Sequence, residues 1–260
     1  MMNNKLITAG IDIGSLSTDA VILEDGRVVS YCVVPTLASS EHAASSAYKV
    51  AMQDAGLCEC DISNVVATGY GRTSTPIANK AITEITCHAI GARFLFPQAN
   101  SVIDIGGQDS KIIRLSPDGR VEDFSMNDKC AAGTGRFLEV MARSLDSELD
   151  ALGKLSKLST QDIRISSTCT VFAESEVVAL VAKGASKADI VHGLHRSVAE
   201  RIYGMVVRLR AVPPYVMTGG VAKNSGVVAA IEERLQSAIL LPEEPQIVGA
   251  LGAAIIAAKP

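Results

Sequence analysis

Ile-Asp-Ile-Gly occurs twice in this chain, at residues 11–14 and 103–106, and each copy closes an apolar run and is followed downstream by a Gly turn. The first copy ends the run Leu6–Asp12, which leads through Ala20–Leu23 to the turn Glu24-Asp25-Gly26 and a further run Val28–Val34. The second sits in Ser101–Asp109 and leads through Lys111–Leu115 to Pro117-Asp118-Gly119 and then Arg120–Phe124. Short apolar runs punctuated by Asp-Gly turns predict β-strands joined as hairpins. Two copies of one hairpin unit about ninety residues apart predict two similarly folded halves.

Each copy also sets a carboxylate at the end of a buried strand with a glycine turn directly behind it. Glycine lets the backbone approach phosphate oxygens closely, and a carboxylate beside it suits Mg²⁺ directly or through water. One such turn is an ordinary tight turn. The pair points instead to a polyphosphate clamped between two domains. A third element, Tyr215–Asn224, reads as a strand, a Gly219-Gly220 turn and a helix start, a shape that lies against a purine and ribose. Between the copies the pattern predicts a helix over Glu41–Ala55, a strand Val65–Thr68, a surface loop at Gly69–Arg72 and a helix over Ala78–Phe94. Beyond them it predicts a polar helical connector Ser147–Thr160, a short strand Ile163–Ser166 and a long helix Lys187–Arg210 stopped by Pro213-Pro214. His192 and His195 share a face of that helix without a third ligand and read as packing or solvated residues; Cys87 and His88 are adjacent on a helix and point apart. The Gly-Ala-rich stretch Val248–Ala258 reads as a close-packing helix.

Two cysteines have helix-leading surroundings. Cys130 is followed by small residues, Gly133-Thr134-Gly135 and an amphipathic pattern through Phe137, Leu138, Met141 and Leu145; Ser166, Ser167 and Thr168 lead into Cys169 and a second helical pattern. A helix N-terminus favours an anion, whether phosphate, thiolate or the net-negative core of an iron–sulfur cluster. The bland alternative is a small buried hydrophobe. Two thiolates fall short of a four-thiolate site, which a symmetric dimer with the metal on its axis completes; zinc suits the same four sulfurs.

Composition narrows the class. The chain has 260 residues, 48% hydrophobic and 20% charged, no tryptophan, a net charge of −4 and a pI near 5.6. That describes an α/β protein of two modest domains with no nucleic-acid or membrane footprint. The start Met1–Lys5 runs into a strand rather than a signal peptide, so the expected location is cytoplasmic. Its six cysteines are expected as thiols or metal ligands rather than disulfides, with Cys58 and Cys60 incidental in a polar connector.

The motif order, a first phosphate motif Gly10–Val21, a second Val102–Ile113, an adenosine motif Val216–Asn224 and a closing Gly-Ala helix, resembles the actin, Hsp70 and sugar-kinase superfamily. Val102–Asp109, Met126–Leu138, Ile165–Val177 and Ala67–Arg72 more narrowly resemble the activator ATPases of 2-hydroxyacyl-CoA dehydratases, the BadF/BadG/BcrA/BcrD type. The resemblance implies two RNase H-like domains with a nucleotide cleft between them: residues 1–97, with helix 248–260 packing back, and 98–247, which carries the cysteines. It implies a homodimer with one bridging, oxygen-sensitive [4Fe-4S] cluster held by Cys130 and Cys169 of each subunit, on helices beginning near Gly133. It further implies MgATP in each subunit, a flavodoxin or ferredoxin donor, and one electron passed to a dehydratase or CoA-thioester reductase.

In that frame Asp12 and Asp104 organise Mg²⁺ and the attacking water, which Gln108 orients. Gly14, Ser15, Ser17, Thr18, Gly106 and Gly107 serve the phosphates, and Gly219, Gly220 and Asn224 frame the adenosine. The chain departs from the family at Leu16 and Asp19, where a threonine and a lysine are usual. Two other readings share the fold: a small-molecule kinase without a cluster, and a nucleotide-gated binding protein like the Hsp70 ATPase domain.

Overall fold

The structure is a computed structural model that describes residues 5–166 and 169–259. Met1–Asn4, Pro260 and the hydroxyl pair Ser167 and Thr168 expected ahead of Cys169 lie outside the described residues.

The chain divides into two compact units. The first comprises residues 1–99, 115–122 and 242–260. Its elements are β1 (Ile7–Ile13), β2 (Ser17–Glu24), β3 (Arg27–Pro35), α1 (Ser40–Asp54), β4 (Asn64–Thr68), β5 (Lys80–Ala81) and α2 (Glu84–Leu95), with the chain's last helix returning to it. They form one sheet in the order β3-β2-β1-β4-β5, antiparallel across β1–β2–β3 and parallel across β1–β4–β5.

The second unit comprises residues 100–114 and 123–241. In chain order come β6 (Ser101–Ile105), β7 (Ser110–Leu115), β8 (Val121–Asn127), α3 (Gly135–Ser144), α4 (Leu152–Leu155), α5 (Thr170–Ala182), α6 (Lys187–Leu209), β9 (Tyr215–Thr218), α7 (Ser225–Leu235) and β10 (Ile239–Leu240). Its sheet runs β10-β9-β6-β7-β8, so every strand has a counterpart at the same place in the first sheet. The final helix, α8 (Val248–Ala257), belongs to the first unit.

The inner strands β1, β2, β6 and β7 are buried almost throughout because both faces are covered, whereas the edge strands β3 and β8 are largely exposed. On β2, Ala20 and Ile22 face the cluster formed with Ala44, Ala47, Tyr48 and Ala51 of α1, whereas Val21 and Leu23 pack on Ala250, Leu251 and Ala254 of α8. On β1 the period of two sends Ile7, Ala9, Ile11 and Ile13 to the α1 side and leaves Thr8, Gly10 and Asp12 to α8. At Gly10 a Cβ would lie 1.9 Å from the Ala250 carbonyl oxygen, so only glycine lets α8 lie this close to the strand. In the second unit Phe137, Leu138, Met141 and Leu145 of α3 join the core with Ile103, Ile105 and the buried face of α6.

Two element expectations need correction. The helix expected from Ala78 begins at Glu84 with Thr83 as its cap, because Lys80–Ala81 is drawn into the sheet as its edge strand. Among the described residues Ile163–Ser166 pairs with no strand; the Ser166 backbone N–H is taken by the Glu176 carboxylate. Among the described residues no helix is long and apolar enough to cross a membrane.

Candidate functional site

The second unit's turn is set by register. Asp104 stands opposite Lys111 on antiparallel β7 and opposite Thr218 on parallel β9, and cross-strand neighbours share a face. Lys111 Nζ accordingly lies 3.2 Å from Asp104 Oδ2 and 2.7 Å from Asp109 Oδ1, while Thr218 Oγ1 donates to Asp104 Oδ1 at 2.8 Å. Asp104, Lys111 and Thr218 are all buried. Gly219 follows with φ +84°, and a Cβ there would meet the Ile105 carbonyl oxygen at 2.4 Å and Asp104 Oδ1 at 2.9 Å. The strand end before Gly106-Gly107 and the turn at Gly219-Gly220 therefore meet at one carboxylate.

That turn is tied to the cysteine loop. Gly106 N–H donates to the Asp109 carbonyl at 3.0 Å, and the Gly106 and Gly107 carbonyls accept from Gly135 N–H at 2.9 Å and Arg136 N–H at 2.8 Å, the first residues of α3. Ser110 Oγ donates to the Gly133 carbonyl at 3.1 Å. Gln108, at the tip, is exposed.

The first unit repeats the turn. Gly14 N–H donates to the Ser17 carbonyl at 2.9 Å, and Asp12 stands opposite Asp19 on β2 and Thr68 on β4. Gly69 follows Thr68 with φ +85°, where a Cβ would lie 2.4 Å from Asp12 Oδ1. On the other side of the carboxylate a Cβ at Gly249 would lie 1.9 Å from Asp12 Oδ2. Ser15 and Ser17 are half-buried; Ser17 Oγ donates to Asp19 Oδ2 at 3.3 Å and accepts from Gln246 Nε2 at 3.2 Å. Thr18 points inward, its hydroxyl 2.9 Å from that of Thr36, which donates to the Gly14 carbonyl at 2.8 Å.

Gly219 and Gly220 lead into a 3-10 turn over Gly220–Lys223. Asn224 caps α7, its Oδ1 accepting from Gly226 N–H at 3.0 Å and Val227 N–H at 3.2 Å, and its Nδ2 lies 3.4 Å from His195 Nε2. Burial, with a smaller contribution from His192, pulls the His195 pKa down to about 4.

Cys130 is half-buried against the core, and its carbonyl accepts from Asn127 Nδ2 at 2.9 Å. Helix α3 starts at Gly135, near Gly133 as expected; Gly133 has φ +81° and Thr134 is extended as the cap. Cys130 therefore lies in the loop between β8 and α3. Cys169 is exposed and is itself the N-cap residue of α5, which packs on α3. The expectation that the cysteines are thiols or ligands is corrected at Cys58 and Cys60, which form a disulfide across the short turn Glu59–Asp61 that brings their Cα atoms to 5.4 Å. The pair gathers with Asp61, all three exposed. Burial drives the Cys87 thiol up to about 12.

Sequence reasoning missed Lys111, Thr218 and His88 as neighbours of the two carboxylates. For Lys111 a signal existed: laying residues 11–19 on 103–111 puts Asp19 and Lys111 at matching places.

Twin sheets of this order, each with an Asp-Gly turn, define an ATPase fold of the actin, Hsp70 and sugar-kinase type. The crystal structure of a ROK family glucokinase from Streptomyces griseus aligns with a TM-score of 0.59 at 16% identity, covering 96% of this chain and 99% of that one. The chain belongs to the BadF/BadG/BcrA/BcrD ATPase family, which it matches over residues 9–257. It is 49% identical to the activator of lactoyl-CoA dehydratase of Anaerotignum propionicum over 97% of each chain. The crystal structure of component A of the Acidaminococcus fermentans (R)-2-hydroxyglutaryl-CoA dehydratase superposes with a TM-score of 0.94 at 45% identity, covering 97% of this chain and 98% of that one.

Proposed function

We propose that this chain is an ATP-hydrolysing one-electron activator that reduces a 2-hydroxyacyl-CoA dehydratase or a related CoA-thioester reductase. The observation that carries the reading is the hydrogen bonding of the phosphate turn at Gly106 and Gly107 to Gly135 and Arg136. A shift of the turn on nucleotide binding or hydrolysis is delivered directly to the cysteine loop and the start of α3. The names of the similar relatives supply the partner class.

The donor sets fit the groups such an activator holds. Asp12 and Asp104 are buried carboxylates at strand ends beside glycines whose missing Cβ atoms leave them room, which suits Mg²⁺ and the attacking water. Exposed Gln108 orients that water, Gly14, Ser15, Gly106 and Gly107 cradle phosphates, and Gly219, Gly220 and Asn224 frame the adenosine. Cys130 and Cys169 are free thiols in one unit, flanking a pair of packed helices, and form a soft half-site that a second copy completes. A [4Fe-4S] cluster there supplies one-electron chemistry when bound, drawing on a flavodoxin or ferredoxin donor. The family's threonine and lysine are replaced by Leu16 and Asp19, so side-chain phosphate contacts in the first turn fall to Ser15 and Ser17.

Anaerobic reconstitution with iron and sulfide tests the assignment. The expected product is a brown, air-labile dimer with one four-iron cluster, and Cys130→Ala or Cys169→Ala chains that hold none. A colourless monomer, or full iron in the Cys130→Ala protein, refutes it.

A further inference from the structure

His88 is buried on α2 with its Nε2 3.6 Å from Asp12 Oδ2. Glycines create this approach. A Cβ at Gly91 would lie 2.2 Å from the Val248 carbonyl oxygen, and one at Gly252 would lie 1.8 Å from the Cys87 carbonyl oxygen, so α2 and α8 touch backbone to backbone. At Gly249 a Cβ would lie 1.9 Å from Asp12 Oδ2 and 3.0 Å from His88 Nε2 at once. The space that this side chain leaves is the space in which the imidazole edge meets the carboxylate.

The internal repeat gives the two carboxylates different neighbours across the hairpin. In the second unit the residue facing the carboxylate across the hairpin is Lys111, which reaches Asp104 at 3.2 Å; in the first the same register place holds Asp19. A carboxylate opposite Asp12 repels it, and α8 offers no charged side chain. Cys87, one residue before His88, lies near Asp12, Glu84 and Arg72, and Arg72 bonds Glu84 at 3.3 Å and the Gly69 carbonyl at 2.9 Å.

We propose that His88 is the positioning residue for Asp12: its Nε2 edge, held under Gly249, fixes the orientation in which the carboxylate meets the magnesium of MgATP, as Lys111 and Thr218 fix Asp104. The inference rests on the assignment of Asp12 as a magnesium carboxylate. His88 acts through Asp12 and touches no reacting atom.

The test is the Mg²⁺ dependence of ADP affinity, read by calorimetry on the dimer. His88→Leu raises the Mg²⁺ concentration needed for half the affinity gain by about 10- to 100-fold, the usual cost of losing a partner behind a metal ligand. ADP affinity without Mg²⁺ stays the same. His88→Gln, whose amide nitrogen reaches the same place, restores most of the loss, and His88→Asn, whose amide stops short, behaves like His88→Leu. On an Asp12→Asn background His88→Leu adds nothing. The inference is overturned if His88→Leu or, should that chain not fold, His88→Asn leaves the Mg²⁺ dependence within twofold while Asp12→Asn changes it. Full additivity of the two substitutions also overturns it. No effect of Asp12→Asn itself overturns the magnesium assignment, and this inference with it.

Discussion

The two Asp-Gly turns are built on one plan and charged differently. Both have a strand ending in Ile-Asp-Ile-Gly, a turn closed by a glycine N–H on the carbonyl three residues on, and a threonine plus a positive-φ glycine on the parallel neighbour. Asp104 has a lysine across the hairpin; Asp12 has an aspartate there and a histidine from α2 instead. The shared parts are those the backbone needs. The parts that differ set the charge around each carboxylate.

The largest expected effect comes from Lys111→Met. Removing one partner of a buried pair leaves Asp104 uncompensated, at a cost of about 3–5 kcal/mol. Chemical denaturation of the variant reads it, and a loss under about 1 kcal/mol means the pair holds Asp104 far less firmly than its burial implies.

The buried histidines sharpen the contrast. His195 has its pKa depressed from 6.5 to about 4 and takes no proton in the folded chain until the pH is low. The unfolded chain takes one near 6.5, so stability is full above that pH and falls as pH drops toward 4, by up to about 3 kcal/mol. His195→Gln flattens that segment of the stability profile; an unchanged slope excludes His195 as its source.

Gly69→Ala and Gly219→Ala test whether the turns are equivalent in backbone. Each costs about 1–3 kcal/mol for the positive-φ backbone alone, with a clash added. Similar losses in melting temperature support equivalence, and a large loss at only one site breaks it.

The smallest effect is Asp19→Lys, which rebuilds the second unit's pairing in the first. Relief of the facing carboxylates stabilises by about 0.5–1 kcal/mol. A destabilised variant shows that Asp19 is fixed by its contact with Ser17 rather than tolerated.

Much of this fold is legible in the sequence because its inner strands are buried on both faces, so β1, β2, β6 and β7 stand out by their apolar stretches. The aspartates and glycines of both turns are legible for the same reason. Their partners are not. Lys111 and Thr218 reach Asp104 through strand register, and His88 reaches Asp12 through a helix contact made by glycines distant in sequence. Local pattern also places the start of α2 too early, because an edge strand at Lys80–Ala81 outcompetes helix there. The Cys58–Cys60 bridge is not legible because two cysteines in a polar connector carry no pairing signal until the turn Glu59–Asp61 brings them together.

The direct measurement of the central claim is the electron paramagnetic resonance spectrum of the reduced, reconstituted dimer with and without MgATP. A turn bonded to the cysteine loop predicts a nucleotide-dependent change in the cluster signal, lost in Cys130→Ala together with the cluster. An identical spectrum at saturating MgATP contradicts the coupling of nucleotide to electron transfer.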